Sequence, residues 1–298
     1  MSLDLATFRL SLALGGREVE FYPRFAGETA GRIAYFEYFA GDRAFVGWLP
    51  YQMRRWRLAG DKLSFKSAAQ SRGLRVPAGW REGPPRADDY IVKLVRGSFG
   101  RDMRGPFGPK HPYDDEIGDA AFFEQFIKGR SAKAWFWNST LAALEVLEPP
   151  IIFGDGVRTL REIAQTRRGN FDLTLSLDSS EDILRWQGVT ADSVVEHGRE
   201  IMLDYRYATP YDRNVVIDRD VLAKTDPRIR RQFEMAGRVL HEEIDAAARE
   251  NTMFTLDAVI DAQARVWFLE MNCHPMIHPA VYGPMLDSLF GDKNFPTD

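Results

Sequence analysis

The sequence lacks three features that would each define a class of protein. It has one cysteine, Cys273, among 298 residues, which excludes an intramolecular disulfide and a multi-cysteine metal site. No segment reaches the roughly 18 consecutive apolar residues that a membrane-spanning helix needs. A strong charge of either sign is also missing, because the formal net charge is −4. That balance predicts neither a general nucleic-acid binder nor a membrane-surface binder.

What remains is typical of a globular protein with a sizeable core. Hydrophobic residues make up 45% of the chain and charged residues 28%, and the length favours two lobes. The opening stretch MSLDLATFRLSLALGG has no basic segment, and Arg9 interrupts its apolar run. It therefore predicts a strand and not a signal peptide, and we expect a cytoplasmic protein.

Short apolar segments separated by turn residues predict an α+β fold with mostly antiparallel strands. Residues 1–60 predict a short strand-rich region, and residues 61–298 predict the main domain, in which 85–130 form a smaller lobe. The Gly- and Pro-rich run RGSFGRDMRGPFGPKHPYDD predicts a loop. The clearest helix is predicted to begin after Asp226 as N-cap, with Pro227 at its first position.

The last two predicted strands, FTLDAVID and RVWFLEMN, form a hairpin with polar residues on one face. Asp257 and Glu270 lie on adjacent strands, and Asn272 follows Glu270 by two positions, so it lies on the same face. Two carboxylates and an amide oxygen that converge in this way suit a hard cation, Mg²⁺ or Mn²⁺. The alternative interpretation is a solvated strand end with ordinary polar residues.

Two further segments contain residues that suit a nucleotide. In YIVKLVRGSFG, Lys93 lies in an apolar strand and a Gly-rich loop follows, a combination that suits phosphate binding. In FFEQFIKG, Glu124 lies beside an aromatic strand that ends in a turn, which suits a base and a ribose. Each segment has an ordinary alternative: a common turn after a strand for the first, and a partly buried strand at a domain hinge for the second.

Taken in chain order, these segments resemble the ATP-grasp ligases. The order is a lysine before a helix, a lysine on a strand, a Gly-rich loop, an acidic linker strand and a hairpin with the pattern D…E-x-N. The resemblance runs from about Asp61 to Pro284, and its most specific motifs are FLEMNCHP with Asp257, and IVKLVRGSFG. The motif pattern is most similar to the group of cyanophycin synthetase, glutathione ligases and D-alanine–D-alanine ligase.

The resemblance implies a fold of two α+β lobes that grip ATP and two Mg²⁺ ions, with Mn²⁺ as the other candidate ion. It implies phosphate contacts by Lys62 and Lys93, and metal ligation by Asp257, Glu270 and Asn272. The other implied nucleotide-binding residues are Gly97, Ser98, Phe99 and Gly100 in a closing loop, Glu124 on the adenine amino group, Phe126 and Ile127 through the linker backbone, and Leu269 beside the adenine ring.

The chain departs from the family pattern at two positions. Some members have a phosphate-binding arginine just before the metal-binding aspartate, where this chain has Thr255 and Leu256. Arg206 and Arg213 are the candidates to replace it, and with Lys93 they form the predicted catalytic set. The family's acidic ribose ligand has no counterpart, because Ser131 lies near that position.

The resemblance implies an ATP-dependent ligase that activates a carboxylate as an acylphosphate, joins it to an amine, and releases ADP and phosphate. The alternatives are a kinase on the same scaffold and a non-catalytic nucleotide-binding protein. The expected partners are small-molecule or peptide carboxylates and amines, with no nucleic acid and no membrane. A homodimer is also considered, because a partner subunit would cover the strand-rich residues 1–60.

Overall fold

The computed structural model describes residues 1–29, 32–83, 85–97, 103–166, 176–207, 209–211 and 219–291. Within these ranges the chain contains both helices and strands, the strands mostly in consecutive runs, and the strand pairs in all four sheets are antiparallel. The predicted α+β class is therefore confirmed. None of the helices in the described ranges is long and apolar enough to cross a membrane.

The N-terminal region is a five-stranded sheet. Its strands are β1 (Ser2–Leu3), β2 (Leu10–Leu14), β3 (Arg17–Thr29), β4 (Arg32–Phe36) and β5 (Ala44–Leu49). Strand β3 pairs with β2, β4 and β5. Phe21 and Leu49 of this sheet pack with Trp137 and Met253 of the following domain. Apolar residues of the region thus pack on the rest of the chain.

Helix α1 (Lys62–Ser71) begins where the sequence predicts. The Asp61 carboxylate accepts a hydrogen bond from the Ser64 amide at 2.8 Å, which satisfies one of the free N–H groups of the first turn. Gly73 follows the last turn with a φ of +74°, a conformation that glycine adopts without strain.

A small sheet follows α1. Its strands are β6 (Gly79–Trp80), β7 (Tyr90–Leu94), β8 (Arg104–Phe107) and β9 (Ala121–Gln125), and their spatial order is β6, β9, β7, β8. Strand β8 lies inside the run that the sequence predicts to be a loop, so that part of the prediction is wrong. Strand β8 tolerates Pro106 because β8 is the edge strand of the sheet and has a neighbouring strand on one side only. The N–H group that proline lacks is therefore not missing from hydrogen bonds to a second neighbour.

The remaining elements, in chain order, are β10 (Arg130–Trp137), β11 (Thr140–Leu147), β12 (Ile151–Phe153), α2 (Leu160–Gln165), α3 (Glu181–Trp186), β13 (Glu200–Met202), α4 (Pro227–Glu242), α5 (Ala246–Arg249), β14 (Met253–Ile260), β15 (Val266–Asn272) and α6 (Tyr282–Phe290). Strands β11, β10, β14 and β15, in that order, form the large sheet. The predicted C-terminal hairpin is its β14–β15 pair.

Helix α4 covers one face of the large sheet. Phe233 and Leu240 of α4 lie in one buried cluster with Phe136 of β10 and Phe254 of β14. Asp226 is its N-cap and Pro227 its first residue, as predicted. The opposite face of the large sheet is turned toward the small sheet, and the space between the two sheets is the cleft described below.

Candidate active site

A cavity of about 990 Å³ lies between the small and large sheets. Residues of β7 and β9 line one wall, and residues of β10, β14 and β15 line the other. The segment 274–280 also lines the cavity. It contains His274 and His278, the two histidines that follow the predicted metal ligands. The cavity therefore brings together side chains that are far apart in the sequence.

Four charged side chains form a row across the large sheet, which we call the charged row: Glu145, Lys133, Asp257 and Glu270. Lys133 on β10 lies directly opposite Glu145 on β11 and, on its other side, opposite Asp257 on β14. Asp257 in turn lies opposite Glu270 on β15. Directly opposite residues of an antiparallel pair share a face, and all four side chains line the cavity.

The three predicted metal ligands lie together at one end of this row. The Asn272 amide Nδ2 donates to Asp257 Oδ2 at 3.1 Å. The Lys62 ammonium lies 2.8 Å from Glu270 Oε2, and the Lys133 ammonium lies 2.5 Å from Asp257 Oδ1. Each carboxylate is therefore neutralised by its own lysine.

The two neighbouring carboxylates differ in acidity. Burial acts to raise the pKa of Glu270, but the charges of Lys62 and Lys93 outweigh it and lower that pKa to about 2. Burial raises the pKa of Asp257, and the negative charge of Glu270 adds to the rise, although Lys133 opposes it. Two adjacent carboxylates resist carrying two charges together, and a divalent cation would relieve that repulsion.

The donor set fits Mg²⁺ or Mn²⁺ as a partial coordination sphere. It offers two carboxylates and the Asn272 side-chain oxygen, all hard oxygen ligands. The described part of the chain contains no group of three or more His, Cys, Asp or Glu side chains suited to a metal. Further ligands would come from phosphate and water, as is usual for Mg²⁺ in nucleotide sites.

Glu124 has partners other than the one predicted. Its side chain is 1% exposed, and its two carboxylate oxygens lie 2.9 Å from the Lys93 ammonium and 2.6 Å from the Lys66 ammonium. Lys66 also donates to the Pro77 carbonyl at 3.0 Å. The contact with the adenine amino group stays a prediction, and in the structure the carboxylate is held by two buried lysines and fixes their positions.

The apolar part of the cavity includes the remaining residues predicted for adenine. Phe126, Ile127 and Leu269 line it, together with Ile91. The Phe126 amide donates to the Asp89 carbonyl at 2.9 Å, so a contact from Phe126 to a base would use its carbonyl oxygen.

Gly129 brings the linker after β9 against β14. A Cβ atom at this glycine would lie 2.3 Å from the Ile260 carbonyl oxygen, so a larger residue would push the two segments apart. The glycine thereby keeps the linker close to the large sheet at the edge of the cavity.

The predicted phosphate-binding residues are only partly within the described ranges. The Gly97 carbonyl accepts from the Lys62 ammonium at 2.6 Å, which ties the start of the predicted loop to α1. Ser98, Phe99, Gly100 and Arg213 lie outside the described residues.

Arg206 lines the cavity, as its predicted catalytic role requires, but its guanidinium is held by the Asp204 carboxylate. Three hydrogen bonds of 2.8, 3.1 and 2.9 Å join the two groups. A phosphate contact by Arg206 would therefore compete with this pair.

Sequence reasoning missed Lys133, Glu145 and Arg219 of the cavity wall, and it missed Lys66, which forms an ion pair with Glu124. Lys66 follows Lys62 by four positions, so the spacing on α1 puts both lysines on one helix face. Ser131, Lys133 and Trp135 lie at every second position of β10, and all three line the cavity. The period of two along the strand could have predicted that Lys133 faces the cavity. The position of Glu145 could be predicted only from the register of β10 and β11.

No family model matches the chain, and no curated protein matches it. Solved structures do match. A bifunctional glutathione synthetase from Pasteurella multocida is 12% identical, with 89% of this chain and 40% of that chain covered and a TM-score of 0.37. N5-carboxyaminoimidazole ribonucleotide synthetase from Thermotoga maritima is 10% identical, with 75% and 43% covered and a TM-score of 0.39.

D-alanine–D-alanine ligase from Bacillus anthracis is 11% identical, with 78% of this chain and 67% of that chain covered and a TM-score of 0.38. The chain thus spans less than half the length of the first two structures. All three TM-scores are below 0.5, so we base the functional proposal on the site geometry and not on these likenesses. Other matching structures are described as ATP-grasp proteins, the family that the sequence motifs resemble.

Proposed function

We propose that the protein is an ATP-dependent carboxylate–amine ligase, which forms an amide bond through an acylphosphate and releases ADP and phosphate. The observation that carries the proposal is the charged row, because Lys133, Asp257 and Glu270 lie side by side on the wall of one cavity. Its partners would be small-molecule or peptide carboxylates and amines.

The lysines around the row support a site for a polyphosphate. Lys62, Lys93 and Lys133 all line the cavity, and each already holds a carboxylate that also lines it. With nucleotide and metal bound, Lys62 and Lys133 would turn to phosphate oxygens, and Asp257, Glu270 and Asn272 would hold the metal ion. Lysine–carboxylate pairs of this kind keep the ligands in position while neither nucleotide nor metal is bound.

Bound ATP supplies the γ-phosphoryl group, and bound Mg²⁺ offsets its negative charge. In the reaction we propose, a substrate carboxylate oxygen attacks the γ-phosphorus and the bond to ADP breaks. The amine, after losing a proton from its ammonium form, then attacks the acyl carbon through its nitrogen; phosphate leaves, and the nitrogen gives up a second proton to solvent as the neutral amide forms. Lys93 and Lys133 would stabilise charge on the transferred group, and the walls of the cavity would limit hydrolysis of the acylphosphate.

Nucleotide binding tests the site before any substrate is known. We expect Glu270→Ala and Asn272→Ala to weaken Mg²⁺-dependent ATP binding by about tenfold or more, because each removes a proposed metal ligand. Isothermal titration calorimetry measures this affinity, with Glu148→Ala as the matched control because the Glu148 side chain is 76% exposed. Equal affinities in the wild type and both variants would contradict the proposal.

An ADP-release screen over candidate acids and amines, with mass spectrometry of the product, tests the reaction itself. A ligase releases inorganic phosphate and forms an amide. Phosphate retained on the substrate would instead identify a kinase, and ADP binding without turnover on any pair would identify a non-catalytic protein.

A further inference from the structure

Glu145 differs from the other carboxylates of the cavity wall. Glu124, Asp257 and Glu270 each have a lysine ammonium within 3 Å. The side chain of His278 lies near Glu145, with its Nε2 4.0 Å from Glu145 Oε1. In the described ranges no lysine or arginine forms an ion pair with it.

This carboxylate is nevertheless largely buried. The Glu145 side chain is 14% exposed, and its Oε2 accepts a hydrogen bond from the Tyr207 hydroxyl. Lys133 lies directly opposite on β10 but pairs with Asp257 on its other side. Arg219 lines the same cavity. A desolvated carboxylate is costly without a counter-charge, and Oε1 has acceptor capacity left for one.

The walls around Glu145 are aromatic and apolar. Trp135 is fixed in the wall, since its indole N–H donates to the Met276 carbonyl at 2.8 Å. Its ring lies 5.1 Å from the His278 ring, and Tyr207 also lines the cavity. Aromatic rings attract cations, and apolar walls accept a hydrocarbon chain. An anion would meet Glu145 itself, which argues against a second carboxylate at this point.

We propose that Glu145 binds the ammonium group of a primary amine, whose apolar substituent lies along Trp135 and the segment 276–280. This inference rests on the proposed function and names the amine half of the reaction. Two strand spacings separate Glu145 from Asp257, about 10 Å across the sheet. The amine site is therefore beside the proposed phosphoryl site and distinct from it.

Ligand-observed NMR with n-butylammonium chloride tests the site without nucleotide, and 1-butanol is the uncharged comparison. We expect saturable binding of butylammonium to the wild type and weaker binding of butanol. Glu145→Gln should weaken butylammonium binding about tenfold or more, because it removes the charge and keeps the shape. Glu145→Asp keeps the charge and should retain part of the affinity.

Glu148→Gln is the matched control, because Glu148 lies just after β11 and is 76% exposed, and we expect it to bind butylammonium as the wild type does. Thermal denaturation of each variant checks that it is folded. Mg²⁺-dependent ATP affinity is measured separately on the wild type and on Glu148→Gln, and the two should be equal.

No saturable binding of butylammonium to the wild type would overturn the proposal, and so would equal affinity in folded Glu145→Gln. If butylammonium binds as expected while ATP does not bind, the amine site stands and the proposed ligase function fails. If ATP binds and butylammonium does not, the amine site fails alone.

Discussion

Two groups of lysine–carboxylate contacts face each other across the cleft. They differ in how many lysines hold each carboxylate and in how exposed the side chains are. On the small-sheet side, Glu124 is held by both Lys66 and Lys93, and all three side chains are less than 10% exposed. On the large-sheet side, Asp257 and Glu270 each have one lysine, and these four side chains are between 11% and 19% exposed.

The difference concerns the carboxylates: Glu124 has two lysine partners, whereas Asp257 and Glu270 have one each. In the Glu124 group, burial lowers the pKa of Lys66, and the two lysine charges lower the pKa of Glu124 although burial opposes this. A carboxylate with two buried partners has little left to offer a ligand. A carboxylate with one partner at the cavity surface can exchange that partner for a metal ion.

The largest effect is expected from Glu124→Gln. The substitution leaves two buried ammonium groups without their carboxylate, and such a loss costs about 3–5 kcal/mol in the free energy of unfolding. Urea unfolding measures this, and Glu148→Gln at an exposed site should cost less than about 1 kcal/mol. A loss at Glu124 as small as that of the control would show that the buried group is not structural.

A smaller, pH-dependent effect is expected at Glu270. Its pKa falls from 4.5 to about 2 in the folded protein, so its ion pair stabilises the fold above pH 4.5 and is lost as the pH falls toward 2. The wild type should lose roughly 1–3 kcal/mol over this range from Glu270 alone. Glu270→Gln should lack that part of the acid dependence in urea unfolding at each pH. Parallel pH curves for the two proteins would contradict the assignment.

The smallest effect is expected from the Lys133–Asp257 pair. A double-mutant cycle with Lys133→Met and Asp257→Asn should give a coupling energy of about 1 kcal/mol, because these side chains, 16% and 19% exposed, are more accessible to water than those of Lys93 and Glu124. The same cycle with Lys93→Met and Glu124→Gln should give a clearly larger value. Equal coupling energies in the two cycles would contradict the distinction between Glu124, which has two buried lysine partners, and Asp257, which has one.

Much of the fold was predictable because its signals are local. Asp61 and Asp226 identify helix starts, since an N-cap acts on the next few backbone N–H groups. The D…E-x-N hairpin was predictable because alternation and a short turn bring the two strands together. Strand β8 was missed, because its pairing with β7 outweighs the Gly and Pro content that predicts a loop.

The sequence by itself determined the residues that lie within one element or one hairpin: Asp257 with Glu270 and Asn272, and Lys93 on its apolar strand. Only the tertiary structure decided which lysine meets which carboxylate. Lys62 reaches Glu270 from a helix that lies far away in the sequence, Lys66 and Lys93 close on Glu124, and Glu145 has neither lysine nor arginine as a partner in the described chain. The physical reason is range, because hydrogen-bonded turns and strand alternation act over a few residues, whereas charge pairing depends on distances that packing of the two sheets sets.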